Sequence, residues 1–385
     1  MWKNRAAWLL IFLAALGLYL FENNTGTRCL LAAAVLLPVC SALCLYLPRY
    51  RVSAALTLPE TLRRGEAAAI ALTLRNHTAL PAQARAEVCI CNLLTGETAA
   101  LPVSGALGRR EERAFPFTLC FAHCGVAALS VDRIELTDLL GLFLRRLPAP
   151  AMRTAVVPPE AWPVEVALAE TADALRDSES YSAQKPGYDP GETFRIREYV
   201  PGDPIRQIHW KLSEKTDRVL VRDFGLPVAQ RMLLLLETTA LDGAPIAPDD
   251  LDTMLDLLCS VSTALLARDV PHTVGWHDRR VGAYTSREVV APEELTALWD
   301  TLLANPVAAG ETSVAGSYGQ SRAECAYAHV AVISPCLAPD IDLLCRGNRV
   351  TALLTAETER ALGSGAEVVS FTEEALHGGT LCLEL

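Results

Sequence analysis

Two uncharged runs near the N-terminus limit what this chain can fold into more than any other feature. Residues 6–21 (AAWLLIFLAALGLYLF) and 29–47 (CLLAAAVLLPVCSALCLYL) contain no Asp, Glu, Lys or Arg. As helices they extend roughly 24 Å and roughly 28 Å, close to the thickness of a hydrocarbon core. Only Glu22 to Arg28 connect them, and Asn23-Asn24-Thr25-Gly26 is turn chemistry. The pair predicts a helical hairpin over residues 1–48 that crosses a membrane twice. No small-x-small cleavage site follows the first run, and a second apolar run arrives at once, which argues against a removed signal peptide. Lys3 and Arg5 precede the first run, and Arg49, Arg51, Arg63 and Arg64 follow the second. Basic flanks stay in the cytoplasm, so everything after the hairpin is expected there. Pro38 within the second run is tolerated in a membrane helix and is expected to kink it.

The net charge of −11 argues against nucleic acid as the main partner, because phosphate binding needs a basic face. Twelve cysteines in 385 residues fall below disulfide-scaffold density, and Cys29, Cys40 and Cys44 lie inside the second apolar run. Reduced thiols are expected. Cys89-x-Cys91 and Cys120-x-x-His123-Cys124 suggest zinc, but zinc pairs prefer a C-x₂₋₄-C spacing and a turn. Core thiols are the expectation there.

Beyond the hairpin the periodicity changes twice. Residues 49–150 read as short strands with turns, with alternation such as Ala-Ile-Ala-Leu-Thr-Leu, and predict an antiparallel β-sandwich of the immunoglobulin-like kind. Residues 151–228 read as a linker followed by a charged window. From 229 to 385, apolar runs alternate with amphipathic stretches, among them RMLLLLETT, 249–268, VPHTVGW, 292–304, AHVAVIS, RVTALLT and AEVVSF. That pattern predicts a doubly wound α/β domain with a mainly parallel sheet.

The charged window, residues 187–224, has neither a helical period nor clean alternation. From Lys185 to Asp223 it holds eight Lys/Arg and seven Asp/Glu. Arg195, Arg197 and Glu198 precede Pro201-Gly202-Asp203-Pro204, a firm reversal, and Arg206, His209, Trp210 and Lys211 follow it. Near balance of charge suggests an internal network of Arg197, Arg206 and Arg222 with Glu198, Asp203 and Asp223. A rigid turn also suits a docking surface with Trp210 as anchor and Arg206 as hot spot.

This window resembles the signature of a bacterial membrane-protein family known as domain of unknown function fifty-eight, whose pattern is roughly R-x-Y-x-P-G-D-x-x-R-x-I-x-W. Arg197, Tyr199, Pro201, Gly202, Asp203, Arg206, Ile208 and Trp210 stand at those places. His209 stands where the family usually carries Asp, so no carboxylate role is carried over to it. Asp138-Leu-Leu-Gly-Leu-Phe143 is similar to the segment that closes the family's β domain. The resemblance implies a von Willebrand factor A-like C-terminal domain, a place in the inner membrane as a multi-pass protein, and two partners. These are a hexameric MoxR-type AAA+ ATPase and a membrane protein with a transglutaminase-like domain. The implied role is a membrane-anchored scaffold or adaptor in envelope assembly or protein maturation.

An A-type domain that binds Mg²⁺ uses a D-x-S-x-S loop, because carboxylate and hydroxyl oxygens suit a hard cation. Here that place reads Glu237-Thr238-Thr239-Ala240-Leu241, a degenerate loop in which Leu241 cannot ligate. No metal, cofactor or catalytic residue is expected. The alternative is Mg²⁺-dependent ligand binding through Glu237, with Thr239 in place of a Ser. A third reading leaves Glu237 exposed at the carboxyl edge of the sheet. The sequence lacks a nucleophile elbow, a P-loop and the H-E-x-x-H zinc pattern, and no enzyme is expected.

Overall fold

A computed structural model describes residues 2–384 except 23, 47–51, 78–80, 139, 168–180, 188, 202, 241–245, 311, 322–325, 339, 346–347, 356–364 and 380. The chain forms two compact units, Met1–Pro158 and Pro159–Leu385.

The first unit opens with helices α1 (Trp2–Phe21) and α2 (Thr25–Tyr46). Both begin earlier than their uncharged runs, because Lys3, Asn4 and Arg5 continue the first helix and Asn24 caps the second, its Oδ1 accepting from Thr27 N–H at 2.9 Å. Trp8 Nε1 donates to Ala34 O at 3.1 Å and ties the pair together. Leu10, Leu13, Leu20, Leu36, Leu37 and Leu43 are all exposed. Helices apolar on every side are stable in lipid rather than water, and these two are candidate transmembrane helices.

Strands β1 (Val52–Thr57), β2 (Ala67–Asn76), β3 (Ala82–Asn92), β4 (Thr98–Leu107), β5 (Glu112–Cys120), β6 (Gly125–Thr137), β7 (Leu144–Leu147) and β8 (Arg153–Val157) follow. They build two antiparallel sheets, β1-β2-β5 and β4-β3-β6-β7, with β8 also paired to β6. Alternation sends Ile70, Leu72 and Leu74 of β2 inward, where they share one core with Val88 and Ile90 of β3 and Leu129, Val131 and Ile134 of β6. Cys89 and Cys91 are half-buried and fall between these core positions on β3, so the core-thiol expectation fails for them: the pleat turns them to the other face.

The second unit begins with β9 (Glu165–Ala167), β10 (Tyr181–Gly187) and β11 (Asp189–Glu198), a 3₁₀ turn at Ile205–Gln207, and α3 (Trp210–Thr216). Next come β12 (Leu220–Leu236), β13 (Thr239–Ala240), α4 (Pro248–Leu266), β14 (His272–Asp278), β15 (Ala283–Val289), α5 (Pro292–Leu302), β16 (Ala308–Ala309), α6 (Val314–Gln320) and β17 (Ala326–Ser334). The unit ends with α7 (Ile341–Leu344), β18 (Arg349–Leu354), β19 (Glu367–Ser370), α8 (Glu373–His377) and β20 (Cys382–Glu384).

Its main sheet runs β15-β14-β12-β17-β18-β19. Every neighbouring pair is parallel except the β14–β15 edge, and the chain order reverses at β12. Leu233 to Leu236 are fully buried, as expected for a strand covered on both faces. Helix α4 starts with Pro248 at its first position and Asp249 and Asp250 in its first turn, and it buries Leu251, Met254, Leu255, Leu258 and Leu265. Residues 159–167 run along that helix. Glu160 N–H donates to Asp256 Oδ1 at 2.9 Å, Trp162 N–H donates to Ser260 Oγ at 2.8 Å, and β9 pairs with β20.

Strand β12 is two strands in one. Residues 220–227 pair antiparallel with β11 and β10, and residues 228–236 pair in parallel with β14 and β17. The charged window is therefore continuous with the middle of the sheet.

Candidate functional site

The charged window folds into a reversal closed by ion pairs. Val200 O accepts from Asp203 N–H at 3.0 Å, and Asp203 Oδ2 accepts from Val200 N–H at 2.8 Å, so backbone and side chain close the same turn. Arg197 grips Asp203 with both terminal nitrogens, Nη1 to Oδ2 at 2.7 Å and Nη2 to Oδ1 at 2.8 Å. Its Nε donates to Asp223 Oδ2 at 3.2 Å, and Arg195 Nε reaches the same oxygen at 2.9 Å. A bidentate fork fixes geometry as well as charge. Hydrogen bonds from Arg197, then from Val200 N–H, hold the Asp203 carboxyl down at about 2. Partial burial pushes the Asp223 carboxyl up, but hydrogen bonds from Arg195 and Arg197 outweigh it and leave that group below the usual range. The same bonds raise Arg197 further above its ordinary value.

The far side of the reversal is pinned by α3. His209 caps it, its Nδ1 accepting from Leu212 N–H at 3.3 Å, while its backbone N–H donates to Leu220 O at 2.8 Å. Buried Ser213 donates to His209 O at 3.0 Å and accepts from Leu220 N–H at 2.9 Å. Ile208 bridges to Val221, and Tyr199 N–H donates to Val219 O at 2.9 Å. His209 thus has a structural task. Ser213 carried no signal in the sequence, since its hydroxyl matters only once β12 has returned beside α3.

Of the eight signature residues, Arg197, Tyr199, Asp203 and Ile208 hold the fold of the turn. Pro201 lies exposed in it, and Gly202 lies outside the described residues. Arg206 and Trp210 point elsewhere. Arg206 is exposed and makes no hydrogen bond or ion pair among the described residues, and Trp210 is 65% exposed. Val200 and Ile205 are exposed beside them. The expected network is corrected in three respects: Glu198 pairs with Arg218 at 2.6 Å, Arg195 joins Arg197 on Asp223, and Arg206 makes no ion pair among the described residues.

The Glu237 loop is built differently. Glu237 is fully buried at the end of β12, which overturns the reading of an exposed edge residue. Its Oε1 accepts from Thr239 N–H at 2.8 Å, and its Oε2 accepts from Val314 N–H, the first amide of α6, at 2.7 Å. Burial pushes the Glu237 carboxyl up; the amides of Val314 and Thr239 pull it back without cancelling the rise. Thr239 lies beside the carboxylate, and its buried hydroxyl oxygen has no hydrogen-bond partner among the described residues. Ser313 caps α6 and donates to Asp340 Oδ2 at 3.3 Å, bringing a second carboxylate to the same helix end. Asp340 lies six residues beyond Ser334, where β17 ends. Leu241 lies outside the described residues.

Residues 195–244 match the family described as "Protein of unknown function DUF58", which supports placing the chain in that family. The matched segment contains both the clamped turn and the Glu237 loop. No curated protein matches the chain. Among solved structures it is similar to a beta-glucosidase from Listeria innocua, at 13% identity over 28% of this chain with a TM-score of 0.20. It spans only 16% of that enzyme's length. The CARDB domain of a Pyrococcus furiosus protein matches at 16% identity over 28% of this chain and 90% of its own, with a TM-score of 0.21. The putative ApaA protein from Bordetella pertussis matches at 17% identity over 28% of this chain and 95% of its own, also at 0.21. Scores of this size define no shared fold across the chain.

Proposed function

We propose that this chain is a membrane-anchored cytoplasmic scaffold or adaptor that works with a MoxR-type AAA+ ATPase in envelope-related assembly or protein maturation. In this reading the first unit carries an immunoglobulin-like β-sandwich and the second a von Willebrand factor A-like domain. The reversal of strand order at β12 and the antiparallel edge strand support the second assignment. A membrane protein with a transglutaminase-like domain is the second partner. No reaction is assigned to the chain itself.

One observation carries the proposal. Inside the family-matched segment, a turn fixed by Arg197, Asp203 and Asp223 leaves Arg206 and Trp210 presented to solvent. Exposed Trp and Arg on a rigid frame are the residue types that dominate protein–protein binding energy. The Mg²⁺-dependent alternative has less behind it, since Glu237 is enclosed and both its oxygens already accept amide hydrogens.

The test is purification of the tagged full-length chain from native membranes in mild detergent, with and without ATP, followed by identification of what is retained. A MoxR-type ATPase kept by the wild type and lost in folded Arg206→Ala or Trp210→Ala protein supports the reading. Recovery of no partner in either nucleotide state sinks it.

A further inference from the structure

The hairpin is tied to the first unit's β6–β7 corner from both of its ends. At the start of α1, Asn4 Nδ2 donates to Leu140 O at 3.3 Å and Arg5 Nε donates to Leu142 O at 2.8 Å. At the end of α2, Ser41 Oγ donates to Asp138 Oδ2 at 2.5 Å, and Tyr46 OH donates to Leu144 O at 2.8 Å. Arg145 Nη1 returns a bond to Leu45 O at 3.0 Å. The corner is shaped for this. Asp138 Oδ1 accepts from Leu142 N–H and Phe143 N–H, both at 2.8 Å. Gly141 takes φ +66°, and a Cβ there would stand 2.3 Å from Asn4 Nδ2.

The hairpin's exposed apolar surface ends at this corner, with Leu9 on one helix and Leu43 on the other, and exposed Trp2 and Tyr46 lie beyond. Aromatic residues with cations next to an apolar band mark the headgroup level of a bilayer. Among the described residues the cations here are Lys3, Arg5 and Arg145, the last already holding Leu45 O. Lys3 is exposed and makes no bond among the described residues, and Arg5 uses only its Nε. Of the described acids on β6 and its corner, Asp138 is enclosed by Ser41 and two amides, and Glu135 lies 3.6 Å from Arg146.

We infer that the β6–β7 corner and the first turn of α1 form a binding site for an anionic phospholipid headgroup, with Lys3, Arg5 and Arg145 as the phosphate-facing cations. The inference rests on the hairpin spanning a membrane. It makes the β domain's seating on the membrane dependent on lipid charge, through Arg5 and Arg145, which also join the corner to the helices.

The test uses full-length protein in mild non-ionic detergent, melted with added phosphatidylglycerol, phosphatidylcholine or inorganic phosphate. Phosphatidylglycerol should raise the melting temperature well above the effect of the other two. In Lys3→Gln/Arg5→Gln/Arg145→Gln protein the half-saturating concentration should rise, roughly fivefold for each cation removed. Lys3→Gln alone, at a side chain that holds nothing in place, should show the single step even if the triple variant fails to fold. Arg109→Gln, in the β4–β5 turn, should leave the response unchanged. Equal response to both lipids, a full response to inorganic phosphate, or unaltered selectivity in the Lys3 and triple variants would overturn the site. Alkaline carbonate extraction separates the two layers of the argument. Release of the chain overturns the spanning hairpin and the site together, whereas retention without lipid selectivity overturns the site alone.

Discussion

Asp203 and Glu237 stand at opposite ends of one continuous stretch, and they are stabilised by opposite means. Asp203 is half-buried in the reversal and held by a guanidinium fork, and its pKa falls. Glu237 is sealed at the end of β12 and held by two backbone amides, and its pKa rises. The pair shows why a carboxylate in a signature segment is not by itself a site. Charge pairing near the surface makes a frame on which other residues are displayed. Amide pairing in the interior makes a joint between a strand and a helix.

The largest effect in this comparison is expected at the joint. Glu237→Ala strips two buried amides of their acceptors, at about 1–3 kcal/mol each, so a loss of roughly 2–6 kcal/mol of stability is expected in denaturant titration. Glu237→Gln keeps one acceptor and should fall between that variant and wild type. Stability near wild type in Glu237→Ala would mean that the amides find other partners.

Arg197→Ala comes second. It removes the fork and one of the two bonds to Asp223, and should loosen residues 199–207 to limited proteolysis before the sheet melts. Arg197→Lys should rescue only part of this, because an ammonium cannot span both carboxylate oxygens. Full rescue would reduce the fork to a simple charge contact.

The pH dependence sharpens the contrast, because the two groups have opposite signs. Asp203 is depressed to about 2 against an ordinary value of about 3.9, so its contribution is complete above pH ~4 and is lost as pH falls toward 2. Glu237 is raised, so its contribution is complete below about 4.3 and is lost as pH climbs through its folded value. Asp203→Asn should flatten the stability profile on the acid side, and Glu237→Gln should flatten the fall on the other. Profiles unchanged by either substitution would contradict these assignments. The smallest effect is expected for Trp210→Ala, within about 0.5 kcal/mol of wild type, since an exposed ring contributes little to the fold. A larger loss would make Trp210 a packing residue and weaken its role in docking.

Much of this architecture could be read before the structure. The hairpin announced itself by the absence of charge, and the parallel strands by apolar runs such as Leu233–Leu236. The Pro201–Pro204 reversal was legible from its turn residues, but the strands that flank it were not. Arg195, Ile196, Arg197 and Glu198 of β11 are all at least partly exposed, so no core face imposes alternation. Register shifts between Asp189 and Arg195 erase what period is left. Gly225 and Pro227 read as strand breakers, yet they lie inside β12, where it changes from antiparallel to parallel partners. Pro has no N–H to offer a ladder and sits where one ladder ends. At Glu237 the residue was legible and its partner was not, because Val314 lies 77 residues away and contributes only a backbone amide.

The unbroken course of β12 has a mechanical consequence. A load applied at the Asp203 turn passes through α3 and then along β12 into the middle of the sheet, where β14 and β17 flank that strand on either side. Their hydrogen bonds lie across the pulling direction, so they must yield together in shear rather than open one at a time like a zipper. The displayed turn is therefore a handle fastened to a central strand of its unit.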